Sequence, residues 1–142
     1  MISSIGVDIV RVDRFEAWIN YSEERLLKVF NMHEIEDFMH EGDFQYKKQF
    51  LAGRFAAKEA FYKALCSLLS KLNFDLETFT FDKVRKHVFV IKNSYEIPEL
   101  SVDWLSIDEV LGASVPKVDL SISISHEKDF AISTVLIIKS EF

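Results

Sequence analysis

Residues 50–65 read Phe50-Leu-Ala-Gly-Arg-Phe-Ala-Ala-Lys-Glu-Ala-Phe-Tyr-Lys-Ala-Leu65. The stretch is rich in strong helix formers, contains no proline and has Gly53 as its one weak position. Phe50, Leu51, Phe55, Ala56, Ala60, Phe61, Ala64 and Leu65 recur at helical spacing, which predicts a helix with one broad buried face. Arg54, Lys58, Glu59 and Lys63 interrupt the apolar run. Glu59 and Lys63 are four residues apart, so they emerge one turn apart on the same side of the helix. By itself that spacing describes an ordinary surface ion pair, worth about 0.2–0.5 kcal/mol.

Around this helix the chain has the composition of a folded globular protein. Its 142 residues suit one domain, residues 1–142, and a chain of that size buries roughly 68–70% of its unfolded surface. Apolar residues make up 49% and charged residues 28%, which argues against disorder. A net charge of -6 argues against non-specific nucleic-acid binding. The single cysteine, Cys66, excludes an internal disulfide, fits a reducing compartment and lies in an apolar run that points to a buried, inert thiol. The N-terminus lacks a basic segment leading into an apolar one, and no apolar run reaches 18 residues. The expectation is a cytoplasmic protein with no membrane partner.

Upstream, Met1–Val10 reads as a strand, with Gly6 marking a bulge or a close backbone approach. Asp8 sits between Val7 and Ile9, so its carboxylate must either face water or find a partner. Val12–Ile19 and residues 22–30 read as short helical segments. Asn31 with Glu34 three residues on has the form of a reciprocal cap, opening a helix to about His40. Gly42-Asp43 breaks the chain before the long helix, which runs from about Phe44 to Ser70. Downstream, Glu77–Phe81 and His87–Lys92 read as strands, Asn93–Asp103 as a loop or edge segment containing Pro98, and Ser106–Leu111 as a helix capped by Ser106 and ended by Gly112. Leu120–Ser125 alternates strictly and Ala131–Ile138 is a final apolar strand. Early helices and late strands indicate an α+β fold with helices packed on an antiparallel sheet.

Asp8 and Glu59 are carboxylates in otherwise apolar elements. Such oxygen ligands suit a hard cation, and Mg²⁺ commonly takes only one or two protein carboxylates beside water and substrate phosphate. Lys63 could then neutralise phosphate oxygens, making a clamp for a diphosphate. Spacing alone does not bring Asp8 to Glu59. Ser125 and His126 are adjacent strand residues whose side chains point to opposite faces, so they form no direct nucleophile–base dyad. They suit phosphate or base binding, or a structural cap of the strand. His33, His40 and His87 fall on polar faces or loops and carry no assigned role.

Three separated pieces, taken together, resemble the holo-acyl-carrier-protein synthases, the small phosphopantetheinyl transferases. They are Ile5-Gly-Val-Asp8-Ile-Val with Asp13-Arg14-Phe15, then Leu51–Leu65, then Ser121-Ile-Ser-Ile-Ser-His126 with Ala131 after it. The resemblance implies Mg²⁺-dependent transfer of the phosphopantetheine arm of coenzyme A to a serine of apo acyl carrier protein, in fatty-acid and lipid synthesis. It implies Asp8 and Glu59 as metal ligands, Glu59 and Lys63 as catalytic groups, and Lys63 on the diphosphate. It also implies Arg54, Lys58, Ser125 and His126 as groups holding coenzyme A. Arg14 and Arg25, with Arg11 and Lys28 as helpers, would receive the acidic carrier. Family members are trimers with sites between subunits, so a homotrimer is implied. The same Asp8, Glu59 and Lys63 would equally serve a metal-dependent phosphodiesterase or pyrophosphatase with water as nucleophile, and the fold could also persist as a non-catalytic binding module.

Overall fold

The computed structural model describes residues 1–40 and 42–141. Three strands form an antiparallel sheet in the order β1 (Ser3–Arg11), β5 (Phe130–Lys139), β4 (Val118–His126). A separate hairpin pairs β2 (Val88–Lys92) with β3 (Pro98–Val102). Helix α3 (Phe44–Lys71) lies across the sheet, starting at Asp43, whose side chain accepts from the Tyr46 N–H. The short helices are α1 (Glu23–Leu26), α2 (Met32–Met39), α4 (Phe81–Val84) and α5 (Trp104–Leu111). The expected α+β arrangement of helices on an antiparallel sheet is therefore present.

The middle of α3 departs from the expected single buried face. Every residue from Phe50 to Lys58 is buried, because the sheet, α2 and the aromatic cluster of Phe15, Trp18, Phe30 and Phe55 enclose it. Glu59 and Lys63 mark the place where the helix opens to solvent.

Strand β1 reverses the usual alternation. Ser4, Gly6, Asp8 and Val10 face inward, whereas Ile5, Val7 and Ile9 face outward at 66, 52 and 60 % exposure. The inward side accepts small and polar residues because α3 presses its backbone directly onto the strand. A Cβ at Gly6 would stand 2.0 Å from the Ala60 carbonyl oxygen, and the Ser4 hydroxyl donates to the Ala64 carbonyl at 2.7 Å. Gly6 keeps its place in the ladder opposite Val135, so it marks a close approach and not a bulge. On the free edge of β1, Lys63 donates to the Val7 carbonyl at 3.1 Å and Lys71 to the Ser3 carbonyl at 2.7 Å.

Several local expectations are corrected. Glu77–Phe81 forms no strand: the Tyr62 hydroxyl takes the Phe79 carbonyl at 2.6 Å, and Phe79 and Phe81 pack on the Tyr62 ring. These aromatic contacts outweigh strand propensity, and Phe81 instead begins α4. Asp103, not Ser106, caps α5; its carboxylate accepts from both the Ser106 N–H and the Ser106 hydroxyl. Val12–Ile19 resolves into two 3-10 turns, Val12–Phe15 and Ala17–Asn20. The Asn31–Glu34 reciprocal cap forms, and Gly112 ends α5 at φ 75°.

Candidate active site

The acid pair proposed from sequence meets. Asp8 projects inward from β1 toward α3, near enough to Glu59 that its carboxyl raises the proton affinity of that glutamate. Asp8 Oδ1 pairs with Lys63 Nζ at 3.3 Å. Asp8 Oδ2 is buried and accepts no hydrogen bond from any described residue. Burial and the adjacent Asp8 carboxylate push Glu59 above the usual glutamate range, while the Lys63 and Arg14 charges pull it down. Two acids forced together, one with an enclosed and unspent oxygen, are the donor set that a hard divalent cation satisfies. Lys63 spends N–H groups on Asp8 and the Val7 carbonyl, yet 51 % of its side chain stays exposed.

Arg14, in the Val12–Phe15 turn, lies near enough to this centre for its charge to act there. Its guanidinium lies 4.7 Å from the centroid of Phe55, four residues before Glu59, and its charge is felt at Glu59. A residue assigned from sequence to carrier docking thus also borders the acid pair. Arg25 sits on the surface with its guanidinium 3.6 Å from the Tyr21 ring centroid. Arg11 lies over Phe130, and Lys28 is exposed.

The remaining candidates lie elsewhere in the chain. Arg54 is buried against the Phe50 ring at 4.1 Å and lines a cavity of about 380 Å³ with His33, Asp37, His40, Lys92 and Glu96. Ser125 stands opposite Ile132, which in turn stands opposite Ile9, so its hydroxyl is on the outer face of the sheet. Asp8 points to the inner face. Ser125 and His126 instead border a cavity of about 220 Å³ with Ile9, Phe130 and Ile132.

Lys58 requires a correction. Expected to touch coenzyme A, it is 0 % exposed, and its ammonium donates to Glu34 Oε1 at 2.6 Å, the Val88 carbonyl at 2.6 Å and the Arg85 carbonyl at 3.1 Å. All three N–H donors are spent inside the chain, so none remains for a ligand. Burial pushes this lysine down, opposed by the Glu34 charge. Glu34 carried no sequence signal beyond its capping position, because its partner lies 24 residues away. Cys66 is half-buried, and burial pushes its thiol up, which favours the unreactive protonated form.

A family model described as the 4'-phosphopantetheinyl transferase superfamily matches residues 4–133. The chain belongs to that superfamily. Among relatives of these phosphopantetheinyl transferases, the chain is 34% identical over 150 residues to a holo-[acyl-carrier-protein] synthase of Staphylococcus aureus, with both chains covered in full. It is 32% identical over 141 residues to the holo-[acyl-carrier-protein] synthase of Treponema pallidum, covering 99% of this chain and 98% of that one. In fold it is similar to the "ACPS-CoA complex" of Chronobacterium ammoniagenes at a TM-score of 0.77 and 24% identity, covering 99% of this chain and all of the other. It is also similar to the Helicobacter pylori holo-[acyl-carrier-protein] synthase solved with coenzyme A, at a TM-score of 0.63 and 26% identity, covering 94% and 99%. The chain is therefore a phosphopantetheinyl transferase of the holo-[acyl-carrier-protein] synthase type.

Proposed function

We propose that residues 1–142 act as one transferase domain that moves the phosphopantetheine arm of coenzyme A onto a serine of apo acyl carrier protein, with Mg²⁺ held by Asp8 and Glu59. The carrier so loaded would serve fatty-acid and lipid synthesis in the cytoplasm; among the described residues no helix is long and apolar enough to cross a membrane. The observation that carries the reading is the meeting of Asp8 and Glu59 beside Lys63.

When bound, Mg²⁺ supplies positive charge to the phosphoryl oxygens of the diphosphate. Lys63, half-exposed and anchored through Val7 and Asp8, neutralises charge that builds on those oxygens as the bridge breaks. The carrier serine Oγ bonds to the β-phosphorus, the bond to the bridging oxygen breaks, and adenosine 3',5'-bisphosphate departs with the electron pair. Glu59, or a water held at the metal site, would accept the serine proton. Arg14 and Arg25 receive acidic groups of the carrier, Arg14 doing so at the border of the acid pair.

A homotrimer with shared sites is part of the same proposal. Ile5, Val7 and Ile9 of β1 stand beside Leu136, Ile132 and Phe130 of β5 on one exposed sheet face. Apolar surface so arranged favours association. Arg54, Ser125 and His126 lie away from their own chain's acid pair, so in this assembly a neighbouring copy supplies them to hold coenzyme A. Ile5→Asp is expected to yield a folded monomer in sedimentation velocity with transfer activity lost; an unchanged oligomer would remove this face from the interface.

The deciding assay incubates the protein with apo carrier, coenzyme A and Mg²⁺ and follows carrier mass. A mass gain supports transfer. Consumption of coenzyme A without that gain indicates hydrolysis, and neither change indicates a binding module.

Metal binding has a separate readout. A raised glutamate means that the folded state holds a proton the unfolded state has lost, between the ordinary value of about 4.3 and the raised one. Stability of the metal-free protein therefore falls as pH rises through that window. Thermal melts with and without Mg²⁺ should show the stabilisation by Mg²⁺ growing toward neutral pH. A pH-independent difference would count against Glu59 as ligand.

A further inference from the structure

The buried ion pair between Lys58 and Glu34 joins three elements at one point. Lys58 belongs to α3, Glu34 to α2, and the Val88 carbonyl to β2. Glu34 Oε2 also accepts from the Val90 N–H at 3.4 Å, and Oε1 from the Asn31 N–H at 3.3 Å. Both side chains are essentially inaccessible, at 0 and 1 % exposure.

The same three elements enclose the cavity of about 380 Å³. Phe50 and Arg54 come from α3, His33 and Asp37 from α2, and Lys92 and Glu96 from β2 and the turn that follows it. Arg54 lies one helical turn before Lys58 on the same side of α3, so the ion pair sits next to the cavity. Among the described residues, the hairpin is not hydrogen-bonded into the three-stranded sheet. Its place relative to α3 is therefore free of any strand register, and the polar ties from Lys58 and Glu34 supply a fixed one.

Stability alone does not explain the arrangement. A buried ion pair loses so much hydration that apolar replacements of similar volume are often neutral or stabilising. Apolar contacts are non-directional, whereas these hydrogen bonds define where each backbone group must lie.

We propose that Lys58 and Glu34 are positioning residues that set the width of the Arg54 cavity, and so the affinity for coenzyme A, without touching it. The proposal rests on the transferase reading, in which Arg54 holds coenzyme A. Its test is the double variant Lys58→Met/Glu34→Leu in the full-length protein, with steady-state kinetics in each substrate. KM for coenzyme A should rise at least about tenfold, while KM for carrier, the Mg²⁺ requirement and kcat stay within about threefold. A folded double variant with KM for coenzyme A unchanged overturns the proposal, as does an equal change in both KM values.

Should the double variant not fold, Glu34→Gln keeps the shape and removes the charge. It should raise KM for coenzyme A alone, and an unaltered value again overturns the proposal. Amide exchange in Glu34→Gln supplies an arm independent of substrate. Protection of Val88–Lys92 and Met32–Met39 should fall together while β1 and β5 keep theirs; independent behaviour of the two segments overturns the proposal. A wild-type protein that fails to bind coenzyme A at all would defeat the transferase reading, with the exchange result still deciding the positioning role.

Discussion

Replacement of Glu59 by Gln is expected to cut carrier modification by about 10²–10³-fold while giving a metal-free protein that melts higher than wild type at neutral pH. The two effects share one origin. Glu59 is pressed against Asp8, and burial with that neighbour raises its proton affinity. Ionising both acids without a cation costs free energy, and a neutral amide at position 59 removes the repulsion. The same amide is a poor ligand for a hard cation and cannot accept the serine proton. Because Glu59 is only partly buried, the gain in stability is screened and stays at or below about 1 kcal/mol. Carrier mass and paired thermal melts measure the two effects. Wild-type transfer by the variant would remove Glu59 from the chemistry, and an unchanged melt would show that the acids do not repel. Asp8→Asn should raise the Mg²⁺ requirement or abolish activity, and an unchanged metal dependence would remove Asp8 from the site.

Gly6→Ala should be the most damaging single methyl in the chain. The added Cβ would meet the Ala60 carbonyl oxygen at 2.0 Å and the Ala64 nitrogen at 2.8 Å, both backbone atoms of α3. No side-chain rotation relieves such a contact, so strand and helix must separate. Overpacking of this kind costs about 1–3 kcal/mol and occasionally more, and this site belongs at the upper end. Separation also carries Ser4 from the Ala64 carbonyl and Asp8 from Lys63. Activity should fall even where the variant remains folded. Urea denaturation gives the first quantity and carrier mass the second. A loss below about 0.5 kcal/mol, the size of an ordinary surface substitution, would show that the two backbones are not in contact.

Local signals in the sequence carried much of the fold. The Asn31–Glu34 cap, the extent of α3, the alternation of β4 and the stop at Gly112 all rest on short-range chemistry that adjacent residues reveal. Long-range choices were harder. In β1 the apolar residues look like core and face outward, because the inward side is decided by how closely α3 approaches Gly6. Glu77–Phe81 has strand propensity, yet Tyr62 claims its carbonyl and its rings. The meeting of Asp8 with Glu59 could not follow from spacing, since the two stand 51 positions apart in the chain, one on the strand and one on the helix; likeness to known transferases suggested it. Lys58 illustrates the opposite difficulty. A lysine beside a functional glutamate reads as part of the site, but one residue along a helix turns the side chain about 100° away, and here that rotation points it at Glu34.

The two lysines that reach from α3 to the carbonyls of Val7 and Ser3 have a bearing on solubility. An unpaired strand margin invites a further strand from another molecule, and runaway stacking follows where nothing blocks it. Here ammonium groups occupy acceptors that an incoming backbone would need. Copies of this chain are thereby steered away from fibre growth along β1, so the protein can carry a greasy sheet surface without polymerising through the rim.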